Sequence, residues 1–122
     1  MSLIDLEAAL SLPANIRFGS STWTYPGWKG LIYHQEYKSE KEFKATSLRE
    51  YAACPLFRTV GIDSTFYAPP SPSLLKGYAS LVPAEFKWVS KVWERITIPV
   101  YPAHKRYGQN AGKENPDFLN SD

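Results

Sequence analysis

The stretch TVGIDSTFY at residues 59–67, followed by APPSP at residues 68–72, decides the fold class that the sequence predicts. It begins as a short apolar run of strand-forming side chains and ends in a polar cluster. Ser71 is a favoured helix N-cap and Pro72 suits the first helical position, so a helix is expected directly afterwards. A strand that turns polar just before a helix is where open α/β sheets and (β/α) barrels carry their chemistry.

Side-chain alternation divides this strand into two faces. The apolar Val60 and Ile62 share one face, because side chains repeat every second residue along a strand. The opposite face carries small or polar residues, namely Thr59, Gly61, Asp63 and Thr65. Asp63 is therefore expected on the small, polar face.

Composition and charge set the broad class. The chain has 122 residues, of which 43% are hydrophobic, and a formal net charge of +2. These values fit one domain with a modest core over residues 1–122, and the charge favours no particular partner. The single cysteine, Cys54, excludes an internal disulfide framework. No segment approaches the roughly 20 apolar residues of a membrane span, and residues 1–15 lack a signal-peptide run, so a soluble cytoplasmic protein is expected.

A leading helix is predicted within residues 1–14. The possible cap is Ser2, and Pro13 ends the helix. The apolar residues that recur at helical spacing are Leu3, Leu6 and Leu10.

One strand and one short helix are predicted between this leading helix and residue 59. Residues 16–23 alternate apolar and polar side chains, which is typical of a strand that runs into a polar end. Residues 31–46 have no clean period and carry mixed charges, so a solvated loop or frayed helix is expected. Ser47–Glu50 has the form of a capping box, which predicts a helix to about Cys54.

A second helix and a third strand follow the central stretch. The helix after Ser71 ends at Pro83, and its predicted core face consists of Leu74, Leu75, Tyr78, Leu81 and Val82. Phe86–Val92 alternates as a strand, with Phe86 and Trp88 on one face. Residues 97–122 are predicted to be a long loop followed by the start of a further helix at Asn115 and Pro116.

The order of strands and helices predicts a parallel sheet with right-handed crossovers. Three parallel strands in the order 1-2-3 leave two unpaired edges and cannot close into a barrel. The chain is therefore expected to be either a small open α/β domain or the front part of a larger fold.

Three motifs resemble successive signatures of one family. They are GSSTWTYPGWKG at residues 19–30, TVGIDSTFY at residues 59–67, and FKWVSKV at residues 86–92 with RIT at residues 95–97. In this order and spacing they resemble the N-terminal portion of the YecE-like family, domain of unknown function 72. The resemblance runs through most of residues 16–119.

The resemblance implies a fold but no reaction, because the family has no established activity. The implied fold is a TIM-like (β/α) barrel with parallel strands and roughly 250 residues, of which this chain would be a truncated front part with about three βα units. The sequence departs from the commonest family pattern at Gly61, where Glu is usual, and at Asp63, where Asn is usual. Any family function of that Glu is therefore absent from this chain.

Asp63 and Lys91 are the candidate catalytic residues. The alternation patterns put them, with Ser21, on one face at the carboxyl ends of neighbouring strands, which lie about 4.8 Å apart. A carboxylate beside an ammonium would anchor a substrate hydroxyl or phosphate, and in a bolder form would act as general base or acid. Three structural alternatives stay open: Asp63 caps the following loop, Lys91 extends into solvent, or the pair is an interior salt bridge that fixes register.

The same rim carries the candidate ligand-binding residues. They are Ser21, Trp23, Tyr25, Trp28, Ser64, Thr65, Tyr67 and Arg95. The aromatic residues among them are expected at the same end of the sheet as Trp93, where they would form one wall of a pocket, although such rings more often pack in a core. His34 and His104 are isolated from other ligand types, so no metal site is supported. The sequence leaves any cofactor unknown.

Two classes of function remain open at this stage. The first is an enzyme that acts on a small phosphorylated or polyhydroxylated substrate at the carboxyl ends of the strands, by analogy of fold. The second is a non-catalytic ligand-binding or scaffold module that uses the same rim. A small-molecule ligand fits both classes, and nucleic acid and membrane partners are not indicated. Self-association is expected if the chain is a fragment, because its sheet edges would then be open.

Overall fold

The computed structural model describes residues 4–120 as a mixed α/β chain with a small parallel sheet of two strands. The helices are α1 (Leu6–Ser11), α2 (Glu40–Thr46), α3 (Leu48–Ala53), α4 (Pro72–Ser80) and α5 (Glu94–Thr97). The strands are β1 (Thr59–Ile62) and β2 (Lys87–Ser90). Short 3-10 helices cover Pro26–Trp28, Asp63–Phe66 and Lys105–Asn110. The front of a barrel is not evident in this small sheet.

The chain forms two compact units. Within the described chain, the first unit contains residues 4–62 together with Pro70–Val89. The second contains Asp63–Pro69 and residues 90–120. In the described residues, no helix is both long and apolar enough to cross a bilayer.

The first unit is built on β1, whose predicted apolar face is confirmed. Val60 and Ile62 are 1% and 6% exposed, and Phe86, just before β2, is also buried. Their core cluster contains in addition Trp23, Ile32, Tyr33, Phe43, Leu48 and Tyr51. The tightest ring contact, at 4.3 Å between centroids, is the stack of Tyr51 on Phe57. An aromatic core therefore supports one face of the sheet.

The strand predicted over residues 16–23 is reduced to one isolated parallel bridge between Phe18 and Phe57. The segment nevertheless runs beside β1, because Gly61 N donates to Ser20 O at 2.8 Å. The two backbones approach unusually closely at Gly19, where an added Cβ would lie only 2.1 Å from Thr59 O. We attribute the absence of a regular hydrogen-bond ladder between this segment and β1 to the close approach at Gly19, because a ladder requires even spacing between the two backbones.

The leading helix is shorter than predicted. It begins at Leu6, with the Asp5 carboxylate accepting from Ala8 N at 3.0 Å, and it ends before Pro13. The predicted cap Ser2 lies outside the described residues, as does Leu3. Leu6 and Leu10, two of the apolar residues that recur at helical spacing, are exposed.

The predicted loop or frayed helix at residues 31–46 contains a capped helix. The Ser39 hydroxyl accepts from Glu42 N at 3.1 Å, and Phe43 anchors α2 in the core. The predicted capping box at Ser47–Glu50 is wrong, although α3 itself is confirmed. Ser47 makes no capping bond because α2 runs directly into α3 there, and the Glu50 carboxylate instead accepts from His34 N and Tyr37 OH.

Helix α4 begins as predicted, with the Ser71 hydroxyl accepting from Leu74 N at 3.2 Å and Pro72 in the first turn. Its predicted core face is only partly correct. Tyr78, Leu81 and Val82 pack against the core. Leu74 and Leu75 are 42% and 43% exposed, since the N-terminal half of the helix has no such neighbours in the described chain.

The second unit contains more local structure than the predicted loop. Residues Glu94–Thr97 form α5, and Val100 pairs with Glu114 in an antiparallel bridge. The predicted helix start at Asn115 is wrong, because residues 116–119 form turns. Asn115 is buried, and its amide donates to Arg95 O and Ile98 O at 2.8 Å each.

Candidate functional site

The carboxyl end of β1 passes directly into the candidate site. The strand ends at Ile62, and Asp63 begins a 3-10 helix that runs to Phe66. The predicted common face for Asp63 and Thr65 is therefore wrong, because strand alternation does not continue past Ile62. Thr65 is buried, whereas Asp63 remains half-exposed.

Asp63 and Lys91 form the predicted ion pair. Lys91 Nζ lies 3.3 Å from Asp63 Oδ1, and the side chains are 56% and 47% exposed. The two residues immediately follow β1 and β2, so the pair stands at the carboxyl ends of adjacent parallel strands. This exposure differs from that of an interior salt bridge, which was one of the structural alternatives.

Thr65 connects the 3-10 helix to the end of β2. Its hydroxyl donates to Lys91 O at 2.7 Å and lies 3.0 Å from Ser90 Oγ. These bonds fix the backbone that carries Lys91, and therefore the point from which its ammonium extends. Thr65 is thus better described as a positioning residue than as a direct ligand contact. Ser64, its neighbour, is exposed.

Two cations flank two aromatic rings beside the ion pair. Lys91 Nζ lies 5.8 Å from the Phe66 centroid, and Arg106 Cζ lies 4.2 Å from the Tyr67 centroid. The two rings contact each other edge to face at 5.2 Å. A hydrogen bond to Tyr67 raises the pKa of Arg106. Arg106 was not among the predicted site residues, and the only signal for it was the basic character of its loop.

Arg95 lies elsewhere in the second unit. Its Nε donates to Asp117 Oδ2 at 2.5 Å, and its guanidinium carbon lies 5.5 Å from the Trp93 ring centroid. The bond to Asp117 raises the pKa of Arg95. A groove of about 390 Å³ opens beside these three side chains.

The predicted residues in the first unit have mainly packing contacts. Trp23 is buried and meets Tyr78 edge to face at 4.9 Å. Trp28 packs against Tyr51 at 6.4 Å between ring centroids. Tyr25 is exposed and meets Trp28 edge to face at 5.4 Å between ring centroids. The backbone of Ser21 lies against Gly61, where an added Cβ would be 3.1 Å from Ser21 Cα.

The common wall formed by these aromatic residues with Tyr67 and Trp93 stays a prediction. Among the described residues, no group of three or more His, Cys, Asp or Glu side chains is placed to hold a metal ion. The site at Asp63 and Lys91 offers an exposed carboxylate–ammonium pair with the Phe66 and Tyr67 rings and the Arg106 guanidinium nearby.

Comparison with known proteins identifies one family. The family model described as protein of unknown function DUF72 matches residues 17–117. No curated protein and no solved structure matches the chain.

Proposed function

The chain belongs to the DUF72 family, and from this premise we propose that it binds a small phosphorylated or polyhydroxylated ligand at the carboxyl ends of its two strands. We further propose that β1 and β2 belong to the front of a TIM-like barrel, with about three βα units in this chain. A cytoplasmic location is part of the proposal, since one cysteine builds no disulfide framework.

The Asp63–Lys91 pair is the observation that carries the proposal. A pair this exposed contributes at most about 1 kcal/mol to folding, because water screens the attraction. A contribution to folding stability therefore explains poorly why both charged residues lie at the ends of adjacent strands. Their exposure leaves both charged groups accessible to a ligand.

Each group has a direct chemical role in this proposal. The Lys91 ammonium donates to a phosphate or hydroxyl oxygen, and the Asp63 carboxylate accepts from a ligand hydroxyl. Thr65 fixes the backbone at Lys91 and so limits the positions that the ammonium reaches. If the protein is an enzyme, Asp63 is the candidate base for a substrate hydroxyl, with Lys91 stabilising the resulting negative charge.

NMR titration tests where the ligand binds. Addition of glycerol 3-phosphate or inorganic phosphate is expected to shift amide signals of residues 63–67 and 90–92 in a saturable manner. Lys91→Met and Asp63→Asn variants that remain folded are expected to lose most of this response. Lys87→Met is the matched control, because it removes the same charge at the amino end of β2, whereas Lys91 follows the carboxyl end. Equal binding by all variants would leave only an ordinary surface ion pair.

A non-catalytic scaffold is the second candidate function. The specific observation in its favour is the number of large apolar side chains that remain exposed, including Phe18, Val89 and Leu119. Such side chains are used in contacts between chains. A folded protein that associates with another chain but gives no saturable shift with any phosphate or sugar would favour the scaffold.

A further inference from the structure

A groove beside Arg95 lies in the second unit and is lined by residues other than the Asp63–Lys91 pair. Its volume of about 390 Å³ falls in the range of small-molecule sites. Its lining includes Trp93, Arg95, Asn110, Lys113, Glu114 and Asp117. We propose that this groove binds an uncharged sugar or polyol.

The first argument is the charge of the groove. Its lining carries two cations, Arg95 and Lys113, and three carboxylates, from Glu94, Glu114 and Asp117. The formal sum of −1 disfavours a phosphate dianion, whereas carboxylates accept well from neutral hydroxyls. The charge balance therefore selects the polyhydroxylated class over the phosphorylated class at this position.

The second argument is the mixture of donors, acceptors and aromatic surface. The Arg95 side chain donates to Asp117 through Nε, and within residues 4–120 neither of its terminal nitrogens donates a hydrogen bond. They and the Asn110 amide are donors for sugar oxygens, while the Asp117 and Glu114 carboxylates are acceptors. The indole of Trp93 supplies an apolar surface for the C–H side of a sugar ring.

The third argument is that the wall of the groove is held in place by buried hydrogen bonds. Asn115 is 5% exposed, its amide donates to Arg95 O, and its Oδ1 accepts from Tyr101 OH at 3.2 Å and from Asp117 N at 3.0 Å. One buried side chain thus fixes the backbone of both members of the Arg95–Asp117 pair. A site whose polar groups are already oriented loses less entropy when a ligand binds.

This inference goes beyond the proposed function and does not depend on Lys91. The test is NMR titration of the full chain with D-glucose, D-galactose, D-mannose, D-xylose and glycerol, each separately, with inorganic phosphate in parallel. We expect at least one neutral sugar to shift the Trp93 indole N–H signal saturably, and phosphate not to shift it.

A pair of neighbouring amides supplies the matched variants. Asn110 lines the groove, whereas Gln109, also exposed, is absent from its lining. Asn110→Ala is expected to weaken sugar binding at least about fivefold through one lost hydrogen bond, and Gln109→Ala is expected to leave it unchanged. Asp117→Asn provides a second loss variant that keeps the side-chain shape.

Three results would overturn the proposal. They are the absence of saturable binding by every sugar and by glycerol, equal affinity in the Asn110→Ala and Gln109→Ala proteins, and loss of sugar binding in Lys91→Met with Asn110→Ala unaffected. The function proposed at Asp63 and Lys91 is judged separately, by the phosphate titration and the Lys91→Met variant. Sugar binding at Trp93 in the Lys91→Met protein would support the groove site even where phosphate binding at Asp63 and Lys91 is absent.

Discussion

At the scale of single residues, Gly19 determines how closely the chain passes β1. An added Cβ would meet Thr59 O at 2.1 Å and Thr59 C at 2.7 Å, both of which are backbone atoms. Backbone cannot move aside as the end of a flexible side chain can. The conformation at residues 18–20 therefore requires glycine, which has no Cβ, at position 19.

We predict that Gly19→Ala destabilises the fold by about 1–3 kcal/mol, the usual range for a group forced into a packed region. Gly77→Ala is the control, because Gly77 lies in α4 with no atom within 4 Å of an added Cβ. There the helix propensity of alanine is expected to stabilise by about 0.5–1 kcal/mol. Urea unfolding of both variants measures the contrast, and equal effects would contradict the close approach.

Tyr33 links a single hydroxyl to alkaline stability. It is buried, its hydroxyl donates to Trp23 O, and burial raises its pKa above the ordinary value. A raised folded-state pKa means that the unfolded chain ionises first, so this contribution is intact below about pH 10 and is lost as pH rises further.

We predict that the free energy of unfolding falls by about 1.4 kcal/mol per pH unit above about pH 10 for each buried tyrosine whose pKa is raised in the fold, as that of Tyr33 is. Tyr33→Phe removes one of these contributions, so its stability is expected to fall less steeply between pH 10 and 12, although it starts lower at pH 7. Tyr25→Phe, a substitution at an exposed site, is the matched control for the loss of a tyrosine hydroxyl. Urea midpoints across this pH range provide the measurement, and identical slopes for Tyr33→Phe and the parent would contradict the account.

The ion pair at the candidate site also shows how far sequence reasoning reaches at this scale. Its members could be predicted, because residues that follow neighbouring parallel strands meet at one edge of the sheet. The buried position of Thr65 could not, because the strand pattern gives no sign that the backbone turns into a 3-10 helix at Asp63. The contact of Arg106 with Tyr67 joins distant loops, which no local pattern encodes.

At the scale of elements, helix boundaries follow local chemistry where a side chain reaches a free backbone N–H group. Ser71 caps α4 as predicted, and Ser39 caps α2 in the same way, with its hydroxyl accepting from Glu42 N. Ser47 has the right sequence but no free helix start, since α2 ends where α3 begins. Periodicity also overstated burial at Leu74 and Leu75, because it reports an apolar stripe and not the neighbour that covers it.

We predict that Ser71→Ala destabilises the protein by about 1 kcal/mol, through loss of the bond from Leu74 N. Ser71→Asp is the matched variant, and it is expected to retain stability because its carboxylate caps and also interacts favourably with the helix N-terminus. Thermal unfolding of the two variants checks this. A Ser71→Asp protein as unstable as Ser71→Ala would show that the cap is not the cause.

At the scale of the molecule, the sheet leaves apolar surface uncovered. In the described part of the chain, β2 pairs with β1 on one side, and Val89 within β2 is 64% exposed. The parallel α/β class could be predicted from the order of the elements. The division into two units could not, because it depends on contacts between segments far apart in sequence.

We predict that the chain associates with itself through this strand and binds dyes that recognise apolar surface. Val89→Lys is expected to lower association, because a charged strand edge resists pairing. Leu10→Lys makes the same kind of change on exposed α1 and is the control for general solubility. Sedimentation at several concentrations measures the effect, and a monomer with a sharp cooperative melt and no dye binding would contradict the prediction.

The measurement that tests the central claim most directly is the calorimetric affinity of the parent, Lys91→Met and Lys87→Met proteins for glycerol 3-phosphate. The account predicts saturable binding by the parent, a loss of about tenfold or more in Lys91→Met through one charge-assisted hydrogen bond, and little change in Lys87→Met. Binding by the folded Lys91→Met protein with the affinity of the parent would contradict the claim that the Asp63–Lys91 pair forms the ligand site.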